Sequence, residues 1–192
     1  MKKIQLGPLL VLEPKPVLLV GANVYDKPNF MVAGAGGVAN ITPPMISVAI
    51  RHDRYTLIGI RQNMTFSINL PSIHLVKETD YCGLVSGAKV NKVEVCRFEI
   101  FYGKLGNCPL IEECPVNLEC SVVHFLNLGS HLLVIGRIEE TFILENCITN
   151  GKPDSDKIKP ILYRTQPSGL YQATGEVIGK SHSIGWEVQV KD

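Results

Sequence analysis

Apolar residues in this chain fall into short runs and alternations far more often than at helical spacing. Residues 16–24 (PVLLVGANV) form an apolar run opened by a proline and closed by Gly21 and Asn23. Residues 45–51 (MISVAIR) form a second. Residues 65–69 (TFSIN) alternate apolar and polar, as do the longer stretches 95–105, 117–128 and 131–144. Period-two alternation predicts half-buried strands, and short bounded runs predict buried ones. The stretches 118–128 and 131–144 flank Asn127-Leu128-Gly129-Ser130, which predicts a long hairpin. Its Glu119, Arg137, Glu139 and Glu140 are expected to face solvent. Helical signals are few. Residues 53–63 carry Leu57, Ile58 and Arg61 at helical spacing, with Asp53 or Thr56 as N-cap. Residues 74–84 predict a second short helix, stopped at Val85-Ser86-Gly87. Residues 150–157 (NGKPDSDK) read as a polar loop. No repeat or linker divides the chain, so residues 1–192 are expected to form one domain. Its class is mainly β, antiparallel and barrel-like with a few short helices, rather than a doubly wound parallel sheet.

Composition narrows the function classes. The chain has 192 residues, 45% hydrophobic and 19% charged, which suits a folded domain with a real core. A net charge of +1 gives no basic field for nucleic acid and none for a membrane surface. The start, MKKIQLGPLLVLEPK, imitates a signal peptide. Gly7, Pro8, Glu13, Pro14 and Lys15 break the apolar run and no small-residue cleavage site follows, so a cytoplasmic protein is expected. The six cysteines show no C-x-x-C and no zinc spacing. They are expected to be reduced and mostly buried, with Cys108 and Cys114 as the exposed pair. His74, His124 and His182 have no metal spacing, and no metal is expected.

Gly34, Gly36 and Ala39 spell G-x-G-x-x-A, close to the dinucleotide fingerprint. That fingerprint needs a helix of ten or more residues starting inside it. Thr42-Pro43-Pro44 stops such a helix at once, because proline lacks the donor and restricts the residue before it. The segment 33–37 therefore reads as a loop of small residues, where backbone can approach a flat ligand closely.

Around that loop the order of features is P-x-P-V-x-L-V, then Pro28-Asn29-x-Met31, Pro43-Pro44 leading into Val48-Ala49-Ile50, Tyr55-Thr56, and F-x-x-N at residues 66–69. Ser86-Gly87-Ala88-Lys89-Val90-Asn91-Lys92, CPLIEECPVNLEC and LGSHLLVIGRI follow. This ordered set, over about residues 10–175, resembles the flavin reductase-like, FMN-binding split-barrel family, on its flavoredoxin branch. The resemblance implies an antiparallel Greek-key split β-barrel, bound FMN and a homodimer. The residues themselves suit such a ligand. Arg51, Arg54, Tyr55 and Thr56, at the start of a helix, join amides, a hydroxyl and guanidinium groups into a phosphate site. Lys89 and Lys92 are expected to close it from the other side. Asn29, Met31, Val32, Ala33 and the strand end at Ile50 are expected to meet the ribityl chain and the ring. His52 is expected to stand aside. His131 falls near the flavin or the dimer interface. Relatives often carry an aromatic residue where this chain has AGAGG, which leaves the ring face more open here.

No nucleophile–base pair is legible, so no catalytic side chain is assigned. The resemblance implies an NAD(P)H-dependent, flavin reductase-like oxidoreductase that passes electrons to an acceptor, with a redox protein partner in view. Two alternatives stay open: a flavoredoxin-type electron carrier without nicotinamide activity, and a β-barrel binding protein that uses no flavin.

Overall fold

The computed structural model describes residues 1–165 and 168–188 of the chain; residues 166–167 and 189–192, within the expected single domain, lie outside the described residues. In chain order the elements are β1 (Lys15–Pro16), β2 (Leu18–Val24), β3 (Lys27–Ala33), β4 (Gly36–Asn40), β5 (Met45–Arg51), α1 (Thr56–Asn63), β6 (Thr65–Leu70), α2 (Val76–Leu84), α3 (Lys92–Cys96), β7 (Ile100–Tyr102) and β8 (Pro109–Ile111). The hairpin β9 (Val116–Asn127) and β10 (His131–Ile143) follows. Then come β11 (Ile148–Thr149), β12 (Lys152–Pro153), α4 (Ser155–Ile158), β13 (Leu162–Arg164) and β14 (Leu170–Gln172).

Seven strands form one antiparallel sheet in the order β3-β2-β6-β9-β10-β5-β4. β5 precedes β6 in the chain but lies beside β10, the Greek-key arrangement, with α1 in the crossover. The two edge strands, β3 and β4, are consecutive in the chain and joined only by Gly34-Ala35. Two residues span a few ångströms, so the sheet must curl until its edges stand side by side. The edges do not pair with each other. The result is a split barrel; beside the split the Ala49 amide donates to the Ala35 carbonyl at 2.8 Å, continuing the pairing of β5 with β4. A small separate sheet, β1-β13-β14, lies outside it. No helix among the described residues is long and apolar enough to cross a membrane.

Alternation places the core. In β5, Ile46, Val48 and Ile50 point inward and meet Val20, Phe66, Ile68 and Val134. Leu57 and Ile60 of α1 pack on the same cluster. β2 is buried on both faces: Val20 points inward, while Leu19 joins Phe30, Cys82, Phe98, Ile111 and Cys114 in a second cluster. That double burial explains why residues 17–20 form an unbroken apolar run rather than an alternation.

Five expectations are corrected. Residues 95–105 are not one strand: Val95 and Cys96 end α3, Arg97 terminates it at φ 56°, and only Ile100–Tyr102 pair as strand. Glu119 is fully buried rather than solvated. β10 has a register shift between Ile138 and Glu140 that breaks the alternation, and the backbone at Leu105 folds over Glu119 and donates to its carboxylate. Cys108 and Cys114 are fully buried, on either side of β8. Neither Asp53 nor Thr56 caps α1; Asp53 is paired with Arg51 at 2.9 Å, and Tyr55 is the cap residue. The segment 33–37 is not wholly loop either, because Gly36 and Gly37 begin β4 by pairing with Val48 and Ser47. All six cysteines are free.

Candidate functional site

The split between β3 and β4 opens a cleft of about 210 Å³. Its floor is built from small residues: Ala33 at the end of β3, Gly34 and Ala35 of the link, and Ala49 of β5. Because Ile46, Val48 and Ile50 fill the barrel, the other face of β5 presents Ser47, Ala49 and Arg51 outward. Met31 borders the cleft while most of its side chain belongs to the core, and Val32 stands beside it. Around this floor stand Lys15, Arg51, Arg54 and His131, and no carboxylate is among the lining residues. Arg51 forms a two-point pair with the Asp53 carboxylate, at 2.9 and 3.2 Å, in the open. Arg54 is half-buried, and among the described residues its guanidinium makes one polar contact, a long one of 3.5 Å to the Gly83 carbonyl. Of the two, Arg54 is the freer donor.

α1 starts between this cleft and a second one of about 580 Å³, lined by Asn29, Tyr55 and residues 87–94. Asn29 and Thr56, 27 residues apart, meet here: the Asn29 Nδ2 donates to Thr56 Oγ1 at 2.7 Å, both buried. That leaves the Thr56 hydroxyl hydrogen and the Asn29 carbonyl oxygen free for other partners. The amides of Tyr55 and Thr56 have no hydrogen-bond acceptor among the described residues. They point out of the positive end of an eight-residue helix. Gly87 lies against Asn29 so closely that a Cβ there would overlap Asn29 Oδ1. Lys89, exposed on the same loop, has no hydrogen-bond or ion-pair partner for its ammonium among the described residues.

Lys92 behaves differently from its expectation. Its ammonium is buried and donates to the Phe30 and Cys82 carbonyls, each at 2.8 Å. Burial holds its pKa below the ordinary lysine value, opposed in part by Cys82. With two of three donors committed to backbone, Lys92 ties β3 to the end of α2 rather than reaching across the cleft. It thereby fixes the strand that carries Asn29 and Met31. Beside it, burial pushes the Cys82 thiol up to about 12, which keeps that sulfur protonated and unreactive at neutral pH.

The fold thus gathers Met31, Val32, Ala33, Arg51 and Arg54 at one cleft and Asn29, Tyr55, Lys89 and Lys92 at the next, with Thr56 bonded to Asn29. Ile50 stands apart: its side chain is fully buried in the barrel, and Ala49 is what its strand presents. His52 lines neither cleft; its Nε2 lies 2.9 Å from the Gly129 carbonyl. Lys15, Ala49, Tyr163 and Thr165 also line the first cleft and were not anticipated. The alternation of β5 was the signal for Ala49. Lys15 and Tyr163 had none, because they meet only through the pairing of β1 with β13 across most of the chain.

Comparisons with known proteins agree with this geometry. Residues 11–166 match the flavin reductase-like domain. The chain superposes on the crystal structure of flavoredoxin from Methanosarcina acetivorans with a TM-score of 0.92 and 40% identity, covering 97% of this chain and 99% of that one. Flavoredoxin of Desulfovibrio vulgaris gives 0.88 and 32%, covering 96% and 100%. A protein of Archaeoglobus fulgidus is 36% identical over 129 residues, 67% of this chain and 72% of its own.

Proposed function

The chain belongs to the flavin reductase-like family, and on that premise we propose that it binds FMN and carries electrons with it. The ring is assigned to the small-residue cleft and the phosphate to the start of α1. One observation carries this reading: three cations and no carboxylate surround a floor of Ala33, Gly34, Ala35 and Ala49. An apolar floor bordered by Lys15 and Arg54, with Arg51 paired to Asp53 beside them, suits a flat ligand that ends in an anion. The residues present fit FMN on two further counts. The unpaired amides of Tyr55 and Thr56 offer a phosphate site at a helix start. Asn29 keeps a free carbonyl oxygen after orienting itself on Thr56.

Bound FMN supplies hydride acceptance and one-electron transfer, and the protein supplies binding, orientation and field. Arg54 and the α1 amides hold the anionic end. Thr56 orients Asn29, and Lys92 fixes β3, so that the strand presents Met31, Val32 and Ala33 in one register. No side chain is assigned a proton-transfer role. NAD(P)H is the proposed hydride donor: Gly34 and Ala35 leave open the space a nicotinamide needs. The proposed assembly is a homodimer in the cytoplasm, with a redox protein as acceptor; six free thiols suit that compartment. Likeness to two flavoredoxins favours a second reading, an FMN electron carrier with no nicotinamide activity of its own. Anaerobic addition of NADH and NADPH to FMN-loaded protein separates the two. Bleaching within seconds supports the reductase, and an unchanged yellow spectrum supports the carrier.

A further inference from the structure

A cavity of about 260 Å³ adjoins the small-residue cleft. The two share Val32, Gly34 and Tyr163 in their linings. Gly34 adds no side chain to the partition; a Cβ there would touch the Tyr163 ring at 3.6 Å. The cavity is assembled from distant parts of the chain. β13 and β14 set Tyr163 opposite Tyr171, and residues directly opposite on an antiparallel pair point to one face. Their rings meet with centroids 5.6 Å apart, tilted by 47°. α2 supplies Asp80, and the Tyr171 hydroxyl donates to its Oδ1 at 2.8 Å across 91 residues. Burial, and then the carboxylate itself, raises the Tyr171 pKa above the ordinary tyrosine value. The hydroxyl therefore keeps its proton and stays the donor. Val17 and Val32 complete an apolar side.

The charge of this cavity is opposite to that of its neighbour. Lys15, Arg51 and Arg54 border the small-residue cleft and no carboxylate does. Here Asp80 is the one charged residue in the lining, among the described residues. Its carboxylate is half-buried and has no ion-pair partner among them. Tyr171 occupies Oδ1, while Oδ2 accepts from no protein donor among the described residues. A carboxylate drawn out of water without a cation carries a desolvation cost, and a bound cation offsets it.

The lining selects the kind of cation. A bare metal ion is a poor fit: it takes several oxygen or nitrogen ligands, and no group of three His, Cys, Asp or Glu stands together among the described residues. Two tyrosine rings attract an organic cation through their faces and pack against a flat one. Size sets a limit as well. An apolar cavity of about 150 Å³ takes benzene, so one of about 260 Å³ takes a single substituted ring and not a nucleotide. The free Oδ2 selects further. An ammonium gives it a charge-assisted N–H bond, whereas the ring nitrogen of an N-alkylpyridinium has no hydrogen to give.

We propose that this cavity binds a one-ring aromatic amine, held as its ammonium by Asp80 and packed against the Tyr163 and Tyr171 rings, beside the cleft assigned to the flavin. The amine site stands without the FMN reading; its place beside a flavin rests on it. Calorimetric titration of the full-length protein with benzylamine at neutral pH tests the site. Benzylammonium is expected to bind once per chain, about tenfold or more tighter than benzyl alcohol, which has the same shape without the charge. It is also expected to bind tighter than 1-methylnicotinamide, a pyridinium cation. Asp80→Asn keeps the shape and an acceptor for Tyr171 but removes the charge. It is expected to weaken benzylammonium about tenfold or more and to erase the preference over the alcohol. Absence of saturable benzylamine binding, equal affinity for amine and alcohol, or an Asp80→Asn variant that binds the amine like wild type overturns the site. Where that variant does not fold, the three ligands on wild type decide. Tighter binding of 1-methylnicotinamide overturns the choice of an amine. In FMN-loaded protein, saturating benzylamine is expected to shift the visible flavin spectrum; an unshifted spectrum with the amine bound overturns the placement beside the ring. Failure to bind FMN at all refutes the FMN reading and leaves the amine site decided by calorimetry.

Discussion

Thr56 is the residue on which the proposed phosphate site turns. Its hydroxyl accepts from Asn29 in a buried pair, which leaves one donor for a ligand. Thr56→Val keeps the shape, removes that donor and orphans the Asn29 amide. Hydrogen bonds to charged groups contribute about 1.5–3 kcal/mol, so FMN affinity is expected to fall about 10- to 100-fold. Thr56→Ser is expected to stay near wild type; flavin fluorescence titration reads both. The same titration should rank Arg54→Ala well below Arg51→Ala in affinity, because Arg51 is already neutralised by Asp53 in the open. Gly87→Ala is expected to lower affinity too, since its Cβ would displace Asn29. The placing of Asn29, Arg54 and Thr56 beside one helix start was legible in the sequence, from the polar groups that adjoin that start in an apolar chain. Ile50 was expected to meet the ligand, whereas the alternation of its own strand turns its side chain into the barrel. The commitment of Lys92 to two carbonyls was not, because it depends on where α2 ends against β3.

At the scale of elements, α1 seats on β2 through Gly59, where a Cβ would overlap the Asn23 carbonyl. Gly59→Ala forces helix and strand apart. It is expected to cost about 1–3 kcal/mol and to lower Tm by roughly 2–4 °C per kcal/mol in a domain this size, read by thermal unfolding. Lys92→Met leaves the Phe30 and Cys82 carbonyls without their donor inside the second cluster. A loss of about 1–3 kcal/mol per orphaned group is expected, with weaker FMN binding because β3 is no longer pinned. The strands β2 and β5 follow from bounded apolar runs, β6 and the β9–β10 hairpin from alternation, and α1 from helical spacing; α2 was expected at residues 74–84, up to the stop at Val85-Ser86-Gly87. α3 did not: a one-turn helix ended by Arg97 in the left-handed region leaves no period to read. Nor did β4, whose Gly36-Gly37 carries no strand signal and is held in the sheet by pairing with β5.

At the scale of the molecule, barrel closure through Gly34-Ala35 was hidden from local pattern because it joins strands at opposite edges of one sheet; the family resemblance supplied it. Closure buries thiols on both sides of the wall. Burial raises the Cys82 and Cys108 pKa values from 9.0 to about 12. Their contribution to stability is full below pH 9. It declines as pH rises toward 12, because the unfolded chain releases those protons first, at about 1.4 kcal/mol per pH unit for each thiol. Lys92, whose pKa is lowered, works in the opposite direction but is a single group. The urea midpoint is therefore expected to be lower at pH 10.5 than at pH 8. The central claim, that the split of the barrel holds FMN, is tested most directly by titrating purified, flavin-free protein with FMN and following flavin fluorescence and the visible spectrum. Saturable quenching at one FMN per chain, weakened in Thr56→Val and Arg54→Ala, is the predicted result. Protein that stays colourless and leaves FMN fluorescence unchanged would contradict it.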